Sequence, residues 1–376
     1  MNRLKKFDEF IGETNKKVIE KIKIVIQASQ IKKESPPHIL LYGNAGCGKT
    51  TIANIIANEL GYKFKTITGG TIKTQLDICK ILCEIYFAQT ENSNITLFID
   101  EIHKLNSAEI PEELWLPILE DFTFYNNLKG KTVDIDEDNF VVTTSKIKVN
   151  PFLIIGATTD PGELSNALRT RFGLHCSLKE YTNNDLKDIL YVYSKKGDIK
   201  IDTDACYEVA KRGRGNPRIS LNLFKLIKDK ALIENKQNID KEFVINFLEF
   251  MDLDECGLTE DDIKVLYVLS NNLKGMGISN LSGTSGMSKS TLEEIILPFL
   301  QFKRLVKTTH KRFITEEGME YLNKFRDKLE DKEKFQDNKN EYKNLIATKD
   351  INQIKPKIKK PTRIEDVVLG DISKFL

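Results

Sequence analysis

The sequence predicts an α/β protein built on a parallel sheet, followed by a helical module and then a winged-helix module. Three observations predict it. Short apolar runs ("HILLYG", "YKFKTI", "NITLFID", "NPFLIIGATT") alternate with stretches of helical periodicity. The residues with chemistry to offer fall at the C-terminal ends of those runs, the edge along which parallel sheets bind ligands. Beyond residue 180 the strand pattern stops, and helices take over until a last ribbon rich in lysine and arginine.

Each element has a local reason. Val18, Ile22, Val25 and Ile26 recur at helical spacing, and "KESPPHI" ends that helix because proline cannot continue it. "HILLYG" is a buried strand. "TTIANIIANELG" is a helix, with Gly61 just past its end. "YKFKTI" is the next strand. "KTQLDICKILCEIYF" turns Leu76, Cys79, Ile81, Leu82 and Cys83 toward a core. "NITLFIDEIHKL" and "NPFLIIGATT" are further buried strands. Between them, residues 122–151 are rich in β-formers and turn residues and read as hairpins. In "ISNLSGTSGMSKSTLEEIILPFL", Ser290 and Glu293 fit a capping box inside a helix–turn–helix pattern. The expected organisation is a sheet domain over 1–180, a helical domain over 181–252, a winged helix over 253–326, and a charged tail, expected to be disordered, over 327–376.

Bulk properties narrow the function. With 57 basic and 55 acidic residues among 376, the net charge is +2, so a nucleic-acid surface must be local rather than a general coat. No apolar run approaches the ~18–20 residues that span a bilayer, and "MNRLKKFDEF" lacks the apolar core of a signal peptide. The six cysteines form no CxxC pair and no metal-ligand spacing. They fit reduced, mostly buried thiols in a cytoplasmic protein.

"GNAGCGKT", Gly43 to Thr50, matches GxxxxGK[ST] between a strand and a helix. Its glycines let backbone N–H groups wrap phosphates, Lys49 reaches the β/γ-phosphates, and Thr50 offers its hydroxyl to Mg²⁺. Asp100 and Glu101, at the end of "LFIDEIH", suit a metal carboxylate and a general base for water. Thr159 ends an apolar strand and offers a hydroxyl near the γ-phosphate. Arg169 and Arg171 precede Phe172, where an arginine given in trans stabilises phosphoryl transfer. Arg218 follows a proline in "RGRGNPRIS". Lys303, Arg304, Lys307, Lys311 and Arg312 make the last ribbon a basic wing; such modules also bind proteins.

From about Arg3 to about Leu322 the chain resembles the RuvB family of AAA+ ATPases, which drive branch migration of Holliday junctions. The resemblance rests on "FDEFIG", "LLYGNAGCGKTTIANIIANELG", "LFIDEIHKLN", "LEDF", "IIGATTDPGELSNALRTRFG", "RGRGNPRI", "LTEDDIKVL" and "LEEIILPFLQFKRLV" in shared order and spacing. It implies an AAA+ sheet domain with a helical lid and a winged helix. It implies ATP and Mg²⁺ held by Gly46, Cys47, Gly48, Lys49, Thr50 and Thr51, with Arg3 and Tyr181 bordering the nucleotide. Asp100 and Glu101 become the Walker B acids, Thr159 the first sensor, Arg218 the second, and Arg171 the finger given to a neighbour. It also implies a homo-hexamer on double-stranded and four-way junction DNA. A RuvA-like partner would dock on the 122–151 hairpins, and Lys307, Lys311 and Arg312 would face DNA. The chain departs from the family in Asn44 and Ala45, where prolines are usual, and in Cys47, Asp160 and its tail. A clamp-loader or initiator-like ATP switch, and a nucleotide-sensing regulator, share the same phosphate site and stay open as alternatives.

Overall fold

The computed structural model describes residues 4–105, 111–130, 132–135, 138–142, 145–195 and 200–324. Arg3 and the charged tail, for both of which expectations were stated, lie outside the described residues. The described chain divides into two compact units, residues 1–264 and the part that follows.

In the first unit, α1 (Lys16–Lys32) precedes β1 (Ile39–Tyr42), α2 (Lys49–Leu60), β2 (Lys63–Thr68), α3 (Gln75–Thr90) and β3 (Ile95–Asp100). Then come α4 (Leu116–Asp121), β4 (Thr123–Tyr125), β5 (Thr132–Ile135), β6 (Asp138–Val141), β7 (Lys146–Lys148), β8 (Leu153–Thr158), α5 (Asn166–Arg169) and β9 (Leu174–Ser177). Five strands form one parallel sheet in the order β2-β3-β8-β1-β9. The central strands β1, β3 and β8 are buried almost throughout, which is why they read as unbroken apolar runs. The expected hairpin region pairs β4 with β7 and β5 with β6, both antiparallel.

The structure differs from the sequence expectation in two places here. The buried stripe of α1 is Ile19, Ile22, Ile26 and Ser29, with Val18 and Val25 only partly covered. And β9, an edge strand with only Cys176 fully buried, adds a fifth strand beside β1. Its register places Ser177 opposite Tyr42, and Leu178 N–H donates to the Tyr42 carbonyl at 2.8 Å. Two strands that lead to the site therefore leave the sheet side by side.

A helical layer follows: α6 (Asn183–Ser194), α7 (Thr203–Arg212), α8 (Pro217–Ile233) and α9 (Lys241–Phe250), with a two-residue parallel pairing of β10 (Lys200–Ile201) and β11 (Asn238–Ile239). Thr182 and Asp185 cap α6 reciprocally. Ala205, Val209, Phe224, Ile227, Val244 and Leu248 belong to the same buried cluster as Ile22, Ile39, Phe98 and Ile155. The helical layer thus shares its core with one face of the sheet. Among the described residues no helix is long and apolar enough to cross a membrane.

The division between units falls within α10 (Glu260–Ser270). The second unit continues with α11 (Ile278–Ser285), α12 (Lys289–Thr291), a π-helical turn (Leu292–Ile296), α13 (Leu297–Phe302) and the ribbon of β12 (Val306–Thr308) with β13 (Arg312–Ile314). The helix after the turn is capped by Ser288, whose Oγ accepts from Thr291 N–H at 3.0 Å, and not by Ser290. Gly286 reverses the chain, and Ser288 is then the last extended residue before the helix. The π turn lies just before Pro298, which has no N–H to give and crowds the carbonyl four residues back.

Candidate active site

The phosphate loop runs from the end of β1 to the start of α2. Gly46 (φ 80°) and Gly48 (φ 101°) lie in the left-handed region, which L side chains rarely adopt. A Cβ on Gly46 would also collide with Asn216 Oδ1. Cys47 is buried, and burial raises its thiol's pKa. Thr50 and Thr51 open α2, whose N-terminus carries partial positive charge toward any bound anion.

Lys49 is nearly buried. Its Nζ donates to the Gly43 carbonyl at 2.6 Å and the Asn44 carbonyl at 3.0 Å. Burial lowers its pKa, and the nearby Arg218 acts in the same direction, while Asp100 and Glu101 oppose it. Three predicted residues, Asp100, Glu101 and Arg218, are therefore within electrostatic reach of Lys49. Arg218 sits exposed in the first turn of α8, and Asn216 caps that helix by accepting from Arg218 N–H at 2.9 Å.

Asp100 ends β3, and its Oδ1 accepts from Glu101 N–H at 3.1 Å. Glu101 itself has φ 49°, in the left-handed region that is uncommon for a side-chain-bearing residue. Its carboxylate pairs with Lys104 Nζ at 2.5 Å, and Lys104 is the chief reason its pKa falls below the ordinary carboxylate value. This gives a testable consequence. If Glu101 is the base for hydrolysis, it acts ionised. Removing Lys104 raises its pKa, so the acid limb of the rate profile moves to higher pH. In a Lys104→Met variant, kcat/KM for ATP measured across pH should show that upward displacement; an unmoved limb would separate Lys104 from the base.

Thr158, not Thr159, is the last residue of β8. Thr158 is buried, with its Oγ1 2.9 Å from His103 Nδ1 and accepting from Asp160 N–H at 2.9 Å. Thr159 lies one residue beyond the strand and is exposed. His103 Nε2 in turn stands 3.7 Å from a Glu163 oxygen. Sequence reasoning missed Thr158 and His103, although "EIH" and "ATT" carried both residues in plain sight.

Arg171 follows α5. Its guanidinium donates to the Ala167 carbonyl at 3.0 Å and pairs with Glu120 at 3.1 Å. Arg169 is bonded to Asn166. Glu112 accepts from Ser165 N–H at 3.2 Å and Ser165 Oγ at 2.8 Å, holding the start of α5. Tyr181 is buried, and its hydroxyl donates to the Cys47 carbonyl at 3.2 Å. The N-terminal segment is pinned nearby: Asn15 bonds Lys179 through both its amide atoms, and Asp185 accepts from Glu13 N–H and Thr14 Oγ1.

On the wing, Lys307 and Arg304 are exposed and Lys311 is partly covered. Arg312 is different. It pairs with Glu293 at 3.1 Å, and its side chain is only 15% exposed. Its backbone is also bonded to Met276 in both directions.

This arrangement defines a P-loop nucleotide-binding protein of the AAA+ class, with a helical lid and a winged helix. Three family descriptions match in succession: the Holliday junction DNA helicase RuvB P-loop domain over residues 2–178, the RuvB AAA lid domain over 181–254, and the RuvB C-terminal winged helix domain over 255–323. The chain belongs to the RuvB family. It is 37% identical over 317 residues to the Holliday junction branch migration complex subunit RuvB of Rickettsia africae, covering 84% of this chain and 87% of that one. It is 36% identical over 330 residues to the subunit of the same name from Fusobacterium nucleatum, covering 87% and 94%. Among solved structures, the Thermotoga maritima RuvB Holliday junction branch migration motor superposes with a TM-score of 0.70 at 32% identity, covering 85% of this chain and 98% of the other. The Aeropyrum pernix ORC2 protein, at 13% identity and TM-score 0.52 over 82% of this chain and 92% of its own, shares the fold alone.

Proposed function

We infer that this chain is an ATP-driven motor for branch migration of four-way DNA junctions. The observation that carries the inference is a complete hydrolysis set and a winged helix in one chain of the RuvB family. The loop from Gly46 to Thr51 holds the phosphates, and Lys49 turns from the loop carbonyls it now bonds to the β/γ-oxygens. The Thr50 hydroxyl and the Asp100 carboxylate are hard oxygen donors that suit Mg²⁺, an ion that keeps waters and phosphate oxygens as its remaining ligands. When bound, Mg²⁺ offsets charge on the phosphates. Glu101 accepts the proton of the attacking water as its oxygen bonds to the γ-phosphorus and the bond to the ADP oxygen breaks. Thr159 helps hold that water, standing just past a strand end that Thr158 and His103 fix. Tyr181 borders the nucleotide, and Arg218 senses it from the lid. Arg171 completes a neighbour's site in a homo-hexameric ring.

Lys307 and Lys311 contact duplex phosphates, with little preference for sequence. Arg312 contributes by bracing the wing through Glu293. Replacing Lys307 and Lys311 by alanine should weaken duplex binding alike on all sequences and lower the salt slope by about one for each phosphate no longer neutralised. Titrations at several salt concentrations check this; an unchanged slope removes the wing lysines from the interface. A RuvA-like junction-binding protein docks on the hairpins of 122–151.

The decisive experiment measures ATPase with and without duplex DNA, then four-way-junction unwinding with a RuvA-like protein. Turnover indifferent to DNA would overturn the motor reading and favour an ATP switch.

A further inference from the structure

The crest of the phosphate loop is held from outside by two side chains whose roles the hydrolysis set does not use. Asn216 Nδ2 donates to the Ala45 carbonyl at 2.6 Å, across 171 residues of sequence. Tyr181 hydroxyl donates to the Cys47 carbonyl at 3.2 Å. Asn44 and Ala45 are exposed, and Asn44 Nδ2 reaches Glu180 at 2.5 Å, so packing does not set the conformation of these two residues, whereas Cys47 is anchored in the core.

Peptide geometry makes these two bonds matter. No described peptide bond is cis. In a trans peptide the C=O of one residue and the N–H of the next point in opposite directions. Holding the Ala45 carbonyl toward the lid therefore aims the Gly46 N–H the other way. Holding the Cys47 carbonyl does the same for the Gly48 N–H. Those are donors of the GxxxxGK[ST] loop, whose backbone N–H groups wrap phosphate.

Asn216 does a second thing with the same side chain. Its Oδ1 accepts from Arg218 N–H at 2.9 Å and caps α8. Its backbone is fixed as well, N–H to the Gly213 carbonyl at 2.8 Å and carbonyl to Ser220 N–H at 3.0 Å. The neighbouring Gly215 carbonyl accepts from Tyr181 N–H at 2.8 Å. One amide thus joins the loop that grips phosphate to the first turn of the helix that carries Arg218.

We propose that Asn216 is a positioning residue for the nucleotide: by holding the Ala45 carbonyl it orients the Gly46 N–H toward phosphate and ties that orientation to the lid. The proposal rests on the nucleotide site described above, and adds to it a residue that touches no phosphate itself.

The cap and the loop contact can be separated. Asn, Asp and Ser cap helices about equally well. Asn216→Asp and Asn216→Ser keep an oxygen for the Arg218 N–H, but Asp has no donor and Ser is too short to reach Ala45. On full-length protein without DNA, the dissociation constant of a fluorescent ADP should rise about three- to tenfold in both variants, the size of one neutral hydrogen bond. The melting temperature of the nucleotide-free protein should fall by no more than a few degrees, as for one lost hydrogen bond, and competition by adenosine, which has no phosphate, should not change. Asn216→Ala, which loses the cap too, should lower both melting temperature and ADP affinity. Unchanged ADP affinity in the Asp and Ser variants overturns the proposal, leaving Asn216 a helix cap. Equal loss for ADP and adenosine overturns it too, since the defect would then lie in the nucleoside pocket. Wild-type protein that fails to bind ADP would refute the nucleotide site itself, a separate result.

Discussion

Arg171→Ala should reduce ATP turnover by about 10³–10⁵-fold while ATP still binds nearly as in the wild type. An arginine given in trans meets charge that exists only as the phosphoryl group transfers, so its loss falls on kcat. Within its own subunit Arg171 is held by Glu120 and the Ala167 carbonyl. Those contacts fold its guanidinium back against α5 and onto α4, and neither partner belongs to the phosphate loop. The trans assignment has a sharper test in mixed rings. Lys49→Ala subunits lack phosphate binding but keep Arg171, and Arg171→Ala subunits have the opposite defect. Mixing two inactive proteins should restore part of the turnover wherever an intact loop meets an intact finger. Activity that survives Arg171→Ala alone, or no rescue in mixtures, would assign Arg171 to its Glu120 ion pair only.

Glu101→Gln should lower turnover by about 10²–10⁴-fold, the range for loss of a positioned base, and trap ATP on the protein. Glutamine keeps the length and shape of the side chain but accepts no proton at neutral pH. The left-handed turn at Glu101 and the hydrogen bond from its N–H to Asp100 are backbone features that this change preserves. Single-turnover rates and filter binding of ATP separate the outcomes. A rise in the dissociation constant as large as the fall in rate would make Glu101 part of binding and not of the chemistry.

Much of this site is legible in the sequence because phosphate chemistry demands particular residue types at strand ends. Gly46, Lys49, Thr50, Asp100 and Glu101 announce themselves that way, and buried strands such as "NITLFID" are apolar on both faces. The β9 strand did not announce itself. Four residues with His and Ser alternating against Leu and Cys look like a loop, and only pairing with β1 makes them a strand. The cap at Ser288 was hidden by Ser290, which sits in a better sequence match but two residues too late, already inside the helix. Long-range partners are the other blind spot. Arg312 reads as a wing cation until Glu293 is seen beside it, and Asn216 carries no signal at all until Ala45 is found against it. Nothing in local propensity encodes a contact between segments that far apart.

The pairing of β1 with β9 has a mechanical meaning. Tyr42 and Ser177 end their strands side by side, and neighbouring strands are about 5 Å apart. The phosphate loop springs from one and the connection to the lid from the other. Loop and lid are thus two arms of a lever with a common fulcrum on the rigid sheet. The arm on the nucleotide side is a few residues long, whereas α8 alone is 17 residues. At 1.5 Å per residue that second arm is roughly 25 Å. Were the lid to pivot there as a rigid body, a shift of a fraction of an ångström at the loop would be magnified several times at its far end, with a matching loss of force. Such gearing favours reach over strength.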